Sequence, residues 1–85
     1  MANYDLLIKR PAAKELEALP LKDRRRIVTR IQTLADDPRP PGAEKLSGED
    51  KYRVRQGDYR VLYRIDDEGG TVTVVKIGNR KNVYR

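Results

Sequence analysis

The chain has 85 residues, no cysteine and no histidine, and 19 Lys and Arg against 13 Asp and Glu, for a net charge of +6. That length bounds it to one domain, residues 1–85, with a modest core. The missing cysteines exclude disulfides and thiolate metal sites, and the missing histidines exclude imidazole acid–base chemistry.

The charge favours a polyanionic partner, either nucleic acid or an acidic protein. There is no signal-peptide core and no apolar run of membrane-spanning length, so the expectation is a cytoplasmic protein that does not engage a membrane.

Tyr4 to Ile8 is a short apolar run and reads as a first strand. Pro11 suits the first turn of a helix, and Ala12, Leu16 and Leu19 follow helical spacing until Pro20 stops it. A second helix follows at once. Ile27, Ile31, Leu34 and Ala35 form its apolar stripe, and Asp23 sits favourably in its first turn. So short a link predicts an antiparallel helical hairpin. The Asp-Asp-Pro-Arg-Pro-Pro-Gly stretch within Asp36 to Glu44 predicts a loop, expected to be the least ordered segment.

Three strand-like runs follow, Tyr52 to Arg55, Tyr59 to Asp66 and Thr71 to Ile77. The turns between them are Gln56-Gly57-Asp58 and Asp67-Glu68-Gly69-Gly70. The fold class is therefore α+β: a β-α-α-β-β-β order in which an antiparallel meander packs on an N-terminal helical hairpin. Tyr59, Val61, Tyr63 and Ile65 alternate as core along the middle strand, with Tyr52 joining them.

Side chains alternate across a strand, so Arg53 and Arg55 share one face while Tyr52 and Val54 take the other. Two guanidiniums about 7 Å apart along a strand suit a phosphodiester backbone, because each presents a planar fork of donors. Arg60 opens the middle strand and Arg80 follows the last one. Four such cations would bind a phosphate and stabilise the extra charge of a pentavalent phosphorane. A solvated basic sheet face would carry the same residues.

Tyr84, beside Arg80, Lys81 and Arg85, is placed for a lowered phenol pKa and could take a proton from a ribose 2′-hydroxyl. Its ring could equally stack on a base or anchor the C-terminus on the sheet. On the second helix, Lys22, Arg25, Arg26 and Arg30 fall away from the apolar stripe. They form a basic ridge suited to phosphates, or an ordinary wet face. Arg24 lies close to the stripe and is expected to snorkel or to meet a partner's carboxylate. No phosphate-cradling glycine loop and no metal-ligand cluster is present, so neither metal nor cofactor is expected.

The element order, Lys45-Leu46-x-Gly48, the middle-strand Gly57-Asp58-Tyr59-Arg60-Val61-Leu62-Tyr63 and the ending Ile77-Gly78-Asn79-Arg80 with Val83-Tyr84 resemble the RelE/ParE toxin superfamily, most closely the RelE type. The resemblance covers essentially the whole chain. It implies a type II toxin: a ribosome-dependent endoribonuclease that cuts messenger RNA in the A site and is silenced by a helical, acidic antitoxin.

Arg60, Arg80 and Tyr84 would then be catalytic. Tyr84 would activate the 2′-hydroxyl, Arg60 would hold the phosphate and Arg80 would assist the leaving 5′-oxygen. Lys51, Arg53 and Arg55 would bind phosphate, the latter two where the family usually carries lysine. Lys22, Arg25, Arg26 and Arg30 would touch ribosomal RNA. The product would be a 2′,3′-cyclic phosphate. The rival readings are a ParE-like inhibitor that acts by binding DNA gyrase, and a relative that only binds.

Overall fold

The computed structural model describes residues 3–46 and 51–79. Strand β1 spans Asp5–Ile8, and two helices follow, α1 (Arg10–Glu17) and α2 (Leu21–Asp36). Pro11 occupies the first turn of α1, where its missing N–H is no loss. Ala12 and Leu16 are the residues α1 buries, one turn apart. Pro20 separates the helices and its carbonyl accepts from the Arg24 N–H at 2.9 Å, starting α2. The buried stripe of α2 is Ile27, Ile31, Leu34 and Ala35, and the helix stops just before Pro38.

The sheet contains β2 (Glu44–Lys45), β3 (Lys51–Gln56), β4 (Tyr59–Asp66) and β5 (Thr71–Asn79) as well as β1, in the order β1-β5-β4-β3-β2. The expected meander is β3-β4-β5. Two features go beyond it. β1 pairs parallel to β5, which makes the sheet mixed and lets Leu6 and Ile8 stand in register with Val72 and Val74. A two-residue strand, β2, pairs with Arg53 and Tyr52. Glu44-Lys45 has no apolar alternation, so nothing in the sequence marks it as a strand.

Both helices cover one face of the sheet. Their stripes meet Val54, Val61, Tyr63, Ile65, Val72, Val74 and Ile77 in a single core. Tyr52 and Tyr59 pack on its margin. The helices touch each other, but α1 rests chiefly on β5.

Between Leu62 and Tyr63 the β4–β5 register shifts: Leu62 pairs with Lys76 and Tyr63 with Val74, leaving Val75 as an extra residue. This bulge brings Ile77 into the core alongside Val72 and Val74.

The loop after α2, expected from its Pro and Gly content, is tied to the sheet at several points. Pro38 is buried, and its carbonyl accepts the Tyr63 hydroxyl at 2.6 Å. Arg39 forks onto the Asp67 carboxylate at 3.2 and 2.9 Å, and its Nε donates to the Tyr52 hydroxyl at 3.2 Å. Tyr4 donates to the same carboxylate at 2.8 Å. These partners lie far away in sequence, so the loop's Pro and Gly content carries no hint of them.

The Arg39 and Tyr4 hydrogen bonds hold the Asp67 carboxyl below its ordinary value. A depressed carboxyl pKa stabilises the clip above pH ~4 and withdraws that support as pH falls through the folded value. Hydrogen exchange at Arg39 and Ala43, whose amides bond to the Asp37 carboxylate and the Pro40 carbonyl, is expected to quicken below pH ~4 after correction for intrinsic rates. The Asp67→Asn variant should show the same quickening at pH 7.

Gly57 turns the β3–β4 hairpin at φ +61°, with nothing within 4 Å of a Cβ placed there. Gly57→Ala therefore meets only backbone strain and is expected to cost about 1–2 kcal/mol in urea denaturation.

Candidate phosphate-binding site

The sheet face away from the helices is cationic, as the strand alternation requires. In register across it lie Lys51, Arg64 and Thr73; then Arg53, Leu62 and Lys76; then Arg55, Arg60 and Gly78. Lys51, Arg53, Arg55 and Arg60 thus share the predicted face. Arg64 and Lys76 join them, and sequence reasoning missed both. Arg64 follows from the alternation of β4, whereas Lys76 reaches this face only because of the bulge.

Arg55 stands directly opposite Arg60, and like charges so placed repel. Arg55 is exposed and makes no hydrogen bond or ion pair among the described residues. Arg60 is half-buried, with its Nε shut off from solvent. Arg53 is held differently. It forms a close ion pair with Glu44, its β2 neighbour, and its side chain is only 17% exposed. Among the described residues Glu44 is thus a carboxylate ion-paired with this face.

A cleft of about 360 Å³ opens at the β3 edge, lined by Arg30, Gly42, Glu44, Arg53 and Arg55. Its Arg30 comes from α2 and corrects the expected ridge. At about 100° per residue, position 30 lies about 40° from Leu34 and 60° from Ile27, on the border of the apolar stripe. Arg30 is accordingly half-buried, and its electrostatic reach extends to Tyr63.

Arg25 and Arg26 are exposed and line a neighbouring groove with Arg30, whereas Lys22 lines neither cavity. Arg24 snorkels as expected: it is half-buried and its Nη2 donates to the Leu19 carbonyl at 3.5 Å. Arg80 and Tyr84 lie outside the described residues. β5 ends with Gly78 and Asn79 in register with Arg60 and Tyr59.

A five-stranded mixed sheet with two helices on one face is an architecture this chain shares with solved RelE toxins. The family described as "ParE toxin of type II toxin-antitoxin system, parDE" matches residues 6–84, and the chain belongs to it. It is 47% identical over 45 residues to the toxin RelG of Mycobacterium tuberculosis, an alignment covering 53% of this chain and 49% of that protein. The chain thus spans about half the length of that relative. A solved structure, the RelBE2 toxin–antitoxin complex of M. tuberculosis, is 30% identical with a TM-score of 0.81, over 92% of this chain and 99% of that one. The chromosomal ParDE system of P. aeruginosa, 15% identical, still reaches a TM-score of 0.77 over 91% of this chain and 96% of that one. The fold therefore does not separate the RelE branch from the ParE branch.

Proposed function

We propose that this toxin is a ribosome-dependent messenger-RNA endonuclease acting in the cytoplasm. The observation that carries the reading is the direct opposition of Arg55 and Arg60 on a face shared with Arg53. Arginines paired in register bring like charges together on one face. That placement suits a phosphodiester, and still more a phosphorane, sitting between them.

In this mechanism Tyr84 removes the ribose 2′-proton, and its phenolate is favoured by Arg80 and the sheet cations. The 2′-oxygen forms a bond to phosphorus as the bond to the 5′-oxygen breaks. The departing oxygen takes a proton from water, leaving a 2′,3′-cyclic phosphate and a 5′-hydroxyl. Arg60 binds the equatorial oxygens and Arg80 shields the leaving one. Arg53, Arg55 and Lys51 contribute charge. None of these arginines exchanges protons near neutrality. The chain therefore relies on positioning, a contribution of about 7–11 kcal/mol when reacting groups are held well, and a ribosome would supply it by holding the messenger in place. No metal enters the scheme, whose residues are all basic or phenolic and are not the carboxylates a hard cation takes.

The proposed partner in the resting cell is an antitoxin, as the RelBE2 complex has for its own toxin, and the net charge of +6 favours an acidic segment of it. β1 is an edge strand, and its Leu7 and Ile8 are 52% and 39% exposed, which suits an added strand or an apolar-faced helix.

The test is a primer-extension map of a reporter messenger after induction of the chain, beside Tyr84→Phe. Cuts inside translated codons that vanish in the variant are the expected outcome. Growth arrest without cuts and indifferent to Tyr84→Phe would transfer the assignment to gyrase inhibition.

A further inference from the structure

A strand of RNA that is cut on the outer face must leave it somewhere, and the β3 edge offers the way. β2 pairs only with Arg53 and Tyr52, so among the described residues Val54 to Gln56 have no strand beyond them on that side. The cleft beside them and a groove of about 350 Å³ along α2, lined by Arg25, Arg26, Thr29, Arg30, Thr33 and Gln56, share Arg30 as a common wall. We infer that cleft and groove form one track, which carries the phosphate backbone of the RNA flanking the scissile bond around the β3 edge. This inference rests on the nuclease reading and extends it from the reacting phosphate to its neighbours.

Charge supports the assignment. Among the described residues no carboxylate lines the groove, and the one in the cleft, Glu44, is engaged by Arg53. Arg25, Arg26, Arg30 and Arg55 make no ion pair or side-chain hydrogen bond among the described residues. The Arg30 Nε is also shut away from water with no protein acceptor. Arg26 and Arg30 are one helical turn apart, about 6 Å between their Cβ atoms, and present their forks to the same groove.

Chemistry also favours a backbone over base edges. The Thr29 and Thr33 hydroxyls donate to the helix carbonyls of Arg25 and Arg30 at 3.0 and 2.6 Å, so the donors left to the groove are chiefly the guanidinium forks, which match phosphate oxygens. The track should therefore hold RNA with little regard to sequence.

An acidic protein segment is the competing occupant, and the distribution of apolar surface argues against it. A docked amphipathic helix needs apolar anchors. Exposed Leu7 and Ile8 lie on β1, at the opposite end of the sheet order from the cleft, and exposed Leu21 lines neither cavity.

The experiment measures fluorescence anisotropy of a labelled 12-nucleotide single strand, 2′-O-methylated throughout so that no 2′-hydroxyl remains to attack. Arg30→Gln is expected to weaken binding about tenfold. The doubly exposed pair Arg25→Gln/Arg26→Gln, which is remote from the core, is expected to weaken it similarly. It should also lower the slope of log K against log salt by about 0.7 for each phosphate that is no longer neutralised. Arg10→Gln on α1 should stay within about twofold, the level of a diffuse charge effect.

Native-like affinity and slope in both groove variants would overturn the track, as would variants that keep RNA but lose an acidic peptide. A chain that binds through the groove and cuts no messenger would remove the nuclease reading and leave the track standing. A chain that cuts with groove variants indistinguishable from native would remove the track alone.

Discussion

Replacing Arg60 with alanine is expected to abolish growth arrest while leaving a folded chain. Arg60 is half-buried in the end row of the cationic face, opposite Arg55 and Gly78. In the proposed reaction its guanidinium meets the charge that grows on the phosphorane oxygens. Removing one donor of that kind costs about 10²–10³ in rate. Arg60→Lys keeps the charge but loses the planar fork, so partial activity is expected.

The substitution touches none of the core, so the variant should still fold and melt cooperatively. Antitoxin binding should persist. Primer extension, thermal melting and co-purification with the antitoxin check the three parts. A variant that still cuts messenger at native rate would remove Arg60 from the mechanism.

The second large effect concerns Tyr63, the biggest fully buried side chain among the described residues. Its ring stacks on Tyr52 with centroids 5.8 Å apart, and its hydroxyl anchors the loop through the Pro38 carbonyl at 2.6 Å. Tyr63→Ala leaves an aromatic-sized cavity and is expected to cost about 3–5 kcal/mol, a large share of the ~5–15 kcal/mol that a domain holds. Tyr63→Phe keeps the ring and orphans the carbonyl, for about 1–3 kcal/mol.

The same residue gives an alkaline signature. Burial pushes the Tyr63 phenol up to about 12. A raised phenol pKa means full support below pH ~10 and progressive loss as pH climbs toward the folded value. Tyr4 and Tyr59 shift the same way, Tyr4 mainly through its bond to Asp67 and Tyr59 mainly through desolvation. Chemical denaturation at pH 8 and pH 11 should therefore show a smaller drop for Tyr63→Phe than for the native chain.

Most of the architecture is legible in the residues, because the helical stripes and the β3 and β4 alternations are regular. What escapes such reading is non-local. β2 has no periodic signal and exists only through its pairing with β3. Arg39 reads as one more loop arginine, yet it ties the loop to Asp67 and Tyr52. Arg30 stands apart from the wet ridge, and its angular distance from Leu34 and Ile27 already places it beside the apolar stripe. The bulge leaves a trace: apolar spacing on β5 changes from two between Val72 and Val74 to three between Val74 and Ile77. Read without that step, the strand would put Lys76 in the core. For the site, the shared face of Arg53, Arg55 and Arg60 follows from period two alone, whereas Arg80 and Tyr84 are reached through family likeness.

The order of the strands also bears on how such a toxin is restrained. The apolar edge at β1 and the cationic cleft at β3 stand three inter-strand steps apart, about 14 Å. An inhibitor that grips β1 does not, by that grip alone, cover the arginines. Capture and silencing are then separate properties, joined by reach. A helical inhibitor needs roughly ten residues beyond its anchor to cross that span, and an extended one needs about five. Antitoxin fragments trimmed below that length should hold the toxin tightly and leave it poisonous.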